Sequence, residues 1–101
     1  MPASLLAVAL LFAFPDDADE RYQFAAGLYE KKLYELAVKE TTAFLKDFPD
    51  HPKAEPARYR LAASLFELKR NDEAAPHFRA LAAREGFEFQ AESALRLGQC
   101  E

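Results

Sequence analysis

The side chains best suited to chemistry are few and stand apart in this sequence. His51 lies in a proline-rich turn and His77 in a predicted helix, and no cysteine or second histidine stands near either at metal-ligand spacing. Cys100 is expected to be a small buried thiol, and Ser64 lacks the glycine turn that exposes a serine nucleophile. The glycines do not form a phosphate-binding loop; they are Gly27, Gly86 and Gly98. We therefore expect no catalysis, no metal and no cofactor.

Composition limits the remaining classes of function. The chain has 101 residues, of which 50% are hydrophobic and 30% charged, as in one small folded domain. Lysine and arginine number 13 against 17 acidic residues, and no basic run is interleaved with aromatics, so nucleic-acid binding is not expected. A single cysteine allows no internal disulfide.

The most informative pattern is an internal repeat in which residues 21–47 recur as residues 58–84. Matched positions include Tyr22/Tyr59, Ala25/Ala62, Leu28/Leu65, Glu30/Glu67, Ala37/Ala74 and Phe44/Leu81. A period of this length with helical spacing indicates stacked helical hairpins, which usually present a surface to another protein. We predict a first repeat at about 18–52, a second at about 53–86 and the start of a third at 88–101.

Caps, prolines and apolar spacing predict five helices and no strand. The expected ranges are about 18–32, 34–48, 53–69, 71–84 and 88–101. Asp16 and Asp17 are expected to cap the first helix, and Asn71 and Asp72 the fourth. The run from Pro49 to Pro52 must interrupt the chain between the second and third helices.

Apolar stripes on these helices predict which faces are buried. On the first helix the stripe comprises Phe24, Ala25, Leu28 and Leu33, and on the fifth it comprises Ala91, Ala94, Leu95 and Leu97. The alanines repeated at one offset predict close helix contacts; they are Ala25, Ala37, Ala62 and Ala74.

Two stretches resemble a known family. The run Leu61–Phe66 followed by Asn71–Ala74 and Phe78 resembles the tetratricopeptide repeat. The run Phe44–Ala54 is similar to repeats of bacterial envelope proteins, such as the Tol-Pal-associated cell division coordinator and the outer-membrane assembly lipoprotein. The resemblance implies an all-α, right-handed solenoid of antiparallel hairpins. The chain departs from the family pattern in its connections. Lys32 and Lys69 stand where a turn glycine is usual, and Gly86 stands where a proline is usual.

The resemblance also implies a binding face, because the first helix of each hairpin lines the concave side in that family. Tyr22, Tyr29, Tyr59 and Phe66 are then predicted to form an aromatic stripe that binds a peptide or partner protein, flanked by Glu30 and Glu67. The alternative is that the four rings pack between helices inside the solenoid. The two glutamates could also be read as an acid–base pair, but solvated surface charges on adjacent hairpins explain them more simply.

The N-terminal segment, residues 1–15, differs from the rest. Its apolar run Leu5–Phe14 is too short to span a bilayer and resembles a signal-peptide core, although no basic residue precedes it and no clean cleavage site follows. This predicts a periplasmic or otherwise exported protein. The alternative is a helix that caps the repeats in a cytoplasmic protein.

The third repeat starts without finishing, and about three repeats are usually needed for stability. We therefore expect the chain to be part of a longer array. The function we predict is a non-catalytic scaffold for protein–protein interaction in a bacterial cell envelope. The alternative is an accessory module of a longer envelope enzyme such as a peptidase. Self-association is a further possibility for the partner.

Overall fold

A computed structural model describes residues 17–101 as a succession of five α-helices. The helices are α1 (17–30), α2 (Tyr34–Asp47), α3 (Ala54–Glu67), α4 (Asn71–Ala82) and α5 (Gln90–Cys100). Residues 17–101 contain no strand, which confirms the all-helical prediction. The predictions for residues 1–15 and for a cap at Asp16 lie outside the described residues.

The helices pack in chain order. α2 packs on α3, α3 on α4, and α4 on α5. α1 is joined to α2 by a 2.8 Å hydrogen bond from Arg21 to the Asp47 carboxylate and by the rings of Tyr22 and Phe44, whose centroids lie 5.7 Å apart. Consecutive packing of this kind is compatible with a helical repeat.

The turns that close the two hairpins have the same geometry, 37 positions apart. Lys32 follows α1 and Lys69 follows α3, with φ angles of 63° and 65°. In both turns the amide after the lysine bonds to the carbonyl five residues back, at 2.9 Å after Lys32 and 2.8 Å after Lys69. These bonds define the Schellman motif, which usually has glycine at the left-handed position. Lysine therefore adopts the backbone conformation of glycine in both repeats, at a cost of about 1 kcal/mol each.

Two prolines lie inside helices, with different consequences. Pro56 is the third residue of α3, where its missing N–H had no partner, and the first helical bond runs from the Ala57 amide to the Lys53 carbonyl at 2.9 Å. This agrees with the expected helix start. Pro76 lies in the interior of α4, where its nitrogen cannot donate to the Asp72 carbonyl one turn back. Its ring is exposed, so α4 packs through its other faces.

The core between the helices is built from the repeated small residues and a few large ones. Ala25, Ala37, Ala62 and Ala74 are all buried, as their recurrence predicted. Side chains of this size let helix axes approach to about 8–10 Å. The largest side chains without solvent exposure are Phe44 on α2 and Phe78 on α4.

The predicted stripe on α1 is only partly buried. Leu28 is buried, but Phe24 is 58% exposed and Leu33 is 45% exposed. The position of Phe24 one repeat later is occupied by Leu61, which is 5% exposed in a cluster against which Val38 of α2 packs. The prediction for Phe24 was wrong because burial there requires a preceding hairpin, and within the described residues none covers that side of α1.

The predicted stripe on α5 needs a similar correction. Ala91, Ala94 and Leu95 are exposed, Leu95 by 62%, whereas Leu97 is half-buried and Ser93 is buried. α5 packs against α4. Its opposite face has no neighbour among residues 17–101, so helical spacing alone misidentified the covered side.

Two of the predicted helix caps, Asn71 and Asp17, were wrong. Asn71 is the first residue of α4 rather than its cap, and the cap position is Arg70, with no side-chain bond to the helix. Asp17 likewise already belongs to α1. The start of α4 instead carries an ion pair, because Arg70 donates two hydrogen bonds of 2.7 and 2.9 Å to the Glu73 carboxylate.

Candidate partner-binding site

The four predicted aromatic residues lie where successive first helices meet. Arg60 of α3 reaches back to Tyr22 of α1, and Arg96 of α5 reaches back to Phe66 of α3. An arginine on α3 thus contacts α1, and an arginine on α5 contacts α3. The structure therefore brings the predicted rings close to the junctions between neighbouring repeats.

Tyr22 and Tyr59 are buried at these junctions. The Tyr22 hydroxyl accepts a 2.9 Å hydrogen bond from Arg60 Nη1. Tyr59 stacks on Phe89 with centroids 4.7 Å apart and an interplanar angle of 18°, and its edge meets Phe78 at 6.0 Å. Burial raises the pKa of Tyr59, and the positive charge of Arg96 acts in the opposite direction. Both rings therefore pack between helices, which is the alternative that the sequence left open.

Tyr29 and Phe66 are half-buried and retain surface for a partner. Tyr29 makes an edge contact with Tyr34 at 6.0 Å, and Phe66 makes one with Phe78 at 6.5 Å. The guanidinium carbon of Arg96 lies 5.5 Å from the Phe66 ring centroid. Burial raises the pKa of the Tyr29 hydroxyl, and the positive charge of Arg96 acts in the opposite direction.

Glu30 and Glu67 are exposed, and within the described part of the chain neither forms an ion pair. Both carboxylates raise the pKa of Tyr29, so they lie within electrostatic range of its hydroxyl. Tyr29, Phe66, Glu30, Glu67 and Arg96 thus occupy one surface region, which we call the first-helix face. Its aromatic and charged groups can bind a peptide through stacking and charge-assisted hydrogen bonds.

Sequence reasoning missed the arginines of this region. Arg60 and Arg96 are half-buried, and each covers an aromatic ring of the preceding first helix, with 5.9 Å from Arg60 to Tyr22. They stand 36 residues apart, close to the repeat period. That spacing was the available signal, but the matching position in α1 is Gln23, so the arginines do not recur in all three first helices.

The two histidines have structural surroundings. His51 Nε2 lies 2.9 Å from the Asp19 carboxylate, its Nδ1 accepts a 3.0 Å bond from the Lys53 amide, and its ring meets Phe44 edge-on. These contacts tie the loop after α2 to α1. Burial, assisted by the charge of Arg58, lowers the pKa of His77.

The other candidate reactive groups also have unreactive surroundings. Burial raises the pKa of the Cys100 thiol and so disfavours the nucleophilic thiolate. Ser64 is buried in α3. Among residues 17–101, no three acidic, histidine or cysteine side chains are grouped to hold a metal ion.

A separate open cleft of about 640 Å³ lies between the α2–α3 loop and the end of α4. Leu45 and Leu81 contribute apolar surface, and Arg58 and Asp50 contribute opposite charges. An ion pair between Glu55 and Arg84 also borders it. None of the predicted aromatic residues lines this cleft, so it is distinct from the first-helix face.

The structure defines a class of protein: an all-helical chain whose hairpins pack consecutively. No helix within residues 17–101 has the length and apolar character to cross a bilayer. Comparison with protein-family models, curated proteins and solved structures yields no match to this chain. The family relation therefore stays a prediction from the residues that resemble the tetratricopeptide repeat.

Proposed function

We propose that this chain is a non-catalytic scaffold of the tetratricopeptide type, which binds a segment of another protein on its first-helix face. The observation that supports this most directly is the pair of hairpin turns with the same left-handed geometry, 37 residues apart at Lys32 and Lys69. Turns that recur in this way give both hairpins the same shape, so that their first helices can lie side by side as in a solenoid.

The surface chemistry supports the same proposal. Tyr29 and Phe66 occupy the same position in successive repeats and both are half-buried, so each holds a fixed orientation while presenting part of its ring. Glu30 and Glu67 follow them directly and are exposed. Aromatic rings held rigidly by their surroundings bind partners at a low cost in side-chain entropy.

We extend the proposal to the bacterial cell envelope on sequence features alone. These are the envelope-like run Phe44–Ala54 and the signal-peptide character of Leu5–Phe14. Mass spectrometry of the protein isolated from its native host tests the location, because an exported protein is expected to lack residues 5–14.

Site-specific photo-crosslinking tests the binding function. A photoreactive phenylalanine analogue placed at Glu30 or Glu67 is expected to crosslink the same partner protein in cells. The same analogue at Lys39 of α2 or Asp72 of α4, both exposed, provides the matched control. Crosslinks of equal yield from all four positions, or none from the first two, contradict the proposal.

A double substitution then separates binding from packing. Replacing Tyr29 and Phe66 with alanine is expected to abolish the crosslink at Glu67 while the helical circular dichroism at working temperature is retained. A loss of stability without a selective loss of crosslinking would show that these two rings serve only packing.

A further inference from the structure

One side of α5 carries an exposed apolar stripe. Its residues follow helical spacing at i, i+3, i+4 and i+7, and all are exposed, Leu95 by 62%. We call this stripe the open α5 face; it comprises Ala91, Ala94, Leu95 and Gly98. α4 packs against another side of α5, and within residues 17–101 the stripe stays uncovered. An exposed apolar surface of this kind is typical of an interaction site.

The small residue on this face has buried counterparts in the earlier repeats. Gly98 stands 36 residues after Ala62, which stands 37 residues after Ala25. Both alanines are buried, and Ala62 shares one apolar cluster with Ala74 of α4. A Cβ atom added to Gly98 would meet no other atom within 4 Å. The position that admits a closely packed second helix in α3 is therefore open in α5.

The large residue on this face has the same relation to the earlier repeats. Leu95 stands 36 residues after Tyr59, which stands 37 residues after Tyr22. Tyr22 meets Phe44 of α2 with ring centroids 5.7 Å apart, and Tyr59 meets Phe78 of α4 at 6.0 Å. Both tyrosines are buried, whereas Leu95 is exposed. In α1 and α3 this side is therefore covered by the second helix of the same hairpin, and α5 lacks such a helix within residues 17–101.

The two second helices cover these positions with matching residues. In both, an alanine and the side chains four and seven residues after it are buried; they are Ala37, Thr41 and Phe44 in α2, and Ala74, Phe78 and Leu81 in α4. The alanine permits close approach of the helix axes, and the larger side chains fill the space beside the first helix. A helix with this pattern therefore fits the open α5 face.

The charges at the ends of the second helices show how the open α5 face differs. Asp47 at the end of α2 pairs with Arg21 of α1 at 2.8 Å, and Arg84 after α4 pairs with Glu55 of α3. On α5, alanines of the open face stand at the positions that match Arg21 and Glu55, so neither ion pair can form there. A helix bound to α5 is therefore expected to be apolar where α2 has Asp47.

We propose that the open α5 face binds an amphipathic helix of a partner protein, which takes the place of the second helix of a third hairpin. The bound side of this helix carries an alanine, larger side chains four and seven residues later, and an apolar residue ten residues later, where α2 has Asp47. This interaction goes beyond the proposed scaffold function, because the open α5 face shares no residue with the first-helix face.

A titration with a helical peptide tests the proposal. The probe has the sequence of residues 33–48, which contain α2, with Asp47→Leu; α4 is less suitable because Pro76 weakens an isolated helix. The control peptide also carries Ala37→Leu, which prevents close approach. Nuclear magnetic resonance of the Leu95 methyl groups and the Gly98 amide is the readout. We expect saturable shifts with the probe, weaker binding of the peptide that keeps Asp47, and no binding of the control peptide.

Two substitutions of Gly98 provide a matched pair of protein variants. Gly98→Leu is expected to weaken binding at least about tenfold, because its side chain occupies the space of the bound helix. Gly98→Ala introduces the residue that α1 and α3 have at this position and is expected to retain binding. The fold accommodates both, because the position is open and both residues favour a helix more than glycine does, which circular dichroism verifies.

Two further variants show where the peptide binds. Leu95→Gln is expected to weaken binding, because it removes the largest apolar side chain of the open α5 face. Phe24→Gln, on the open side of α1, is expected to leave the shifts of Leu95 and Gly98 unchanged.

Equal binding by Gly98→Ala and Gly98→Leu, equal binding of the probe and the control peptide, or shifts confined to residues outside α5 would overturn the proposal. In light scattering, a mass that doubles with concentration and that Gly98→Leu returns to that of one chain would overturn it in favour of a second copy on this face. Crosslinking from Glu30 and Glu67 is expected to persist in Gly98→Leu, so this proposal and the scaffold function can fail separately.

Discussion

The two hairpins, α1–α2 and α3–α4, are close copies in sequence but differ in how much of their surface is covered. Leu61 is 5% exposed, whereas Phe24 at the matching position is 58% exposed. Ala63 is buried, whereas its counterpart Ala26 is half-buried. α3 packs against both α2 and α4, whereas the side of α1 that carries Phe24 is open within the described residues. The same residue position therefore contributes different amounts of burial depending on its neighbours, as expected for an array stabilised by contacts between repeats.

The hairpins also differ at the start of their second helices. The ion pair of Arg70 and Glu73 occupies positions that hold Leu33 and Leu36 in the first hairpin. Both leucines are close to half exposed. The second hairpin thus places charge where the first exposes apolar surface, although the backbone turn that precedes these positions is the same in both.

The largest expected effect tests the difference in coverage. Leu61→Ala is expected to lower the free energy of unfolding by about 2–4 kcal/mol, because it removes a buried side chain and leaves a cavity. Phe24→Ala is expected to lower it by less than about 1 kcal/mol, because most of that ring is already in water. Urea denaturation followed by circular dichroism measures both values. Equal losses from the two variants would show that another part of the chain covers Phe24.

The sequence predicted helix positions well for identifiable reasons. The proline-rich interruption from Pro49 to Pro52 and the helical spacing of apolar residues gave ends that agree with the structure to within two residues. The covered faces were harder to predict, because periodicity gives the apolar side of a helix but not whether a neighbour lies on it. The Leu95 side chain on α5 is an example, since it continues an apolar stripe and yet is exposed.

The candidate site was predicted in part. Repetition identified Tyr29 and Phe66, which are half-buried, together with Tyr22 and Tyr59, whose burial follows from contacts between hairpins. Arg96 was missed because its role depends on lying across Phe66 of another helix. Such a contact between distant residues has no local signature in the sequence.

A smaller effect is expected at the turns that the hairpins share. Lys32→Gly and Lys69→Gly should each raise the free energy of unfolding by about 0.5–1 kcal/mol, because glycine adopts positive φ without steric cost. The gains should add in the double variant, since the two turns are separate. Lys31→Gly, in the same connection but without positive φ, is the control and should destabilise the fold. A gain at only one turn would show that the two hairpins close differently.

The smallest effect concerns the ion pair that distinguishes the second hairpin. Hydrogen bonds from Arg70 lower the pKa of Glu73 below its usual value of 4.5, and the attraction between their charges acts in the same direction. Since the folded state then holds the carboxylate in its charged form more strongly than the unfolded state does, the contribution of Glu73 is complete above about pH 4.5. It is lost as the pH falls through the lowered value.

Carbon-detected nuclear magnetic resonance titration of the glutamate carboxyl groups checks this shift. Glu73 should titrate at lower pH than it does in the Arg70→Gln variant, and the difference should shrink at high salt because the pair is exposed. Transplanting the pair as Leu33→Arg with Leu36→Glu sharpens the comparison, because the preceding turn has the same backbone. A lowered pKa at position 36 would show that this turn alone positions the pair, whereas an ordinary one would show that the surroundings of the second hairpin are needed as well.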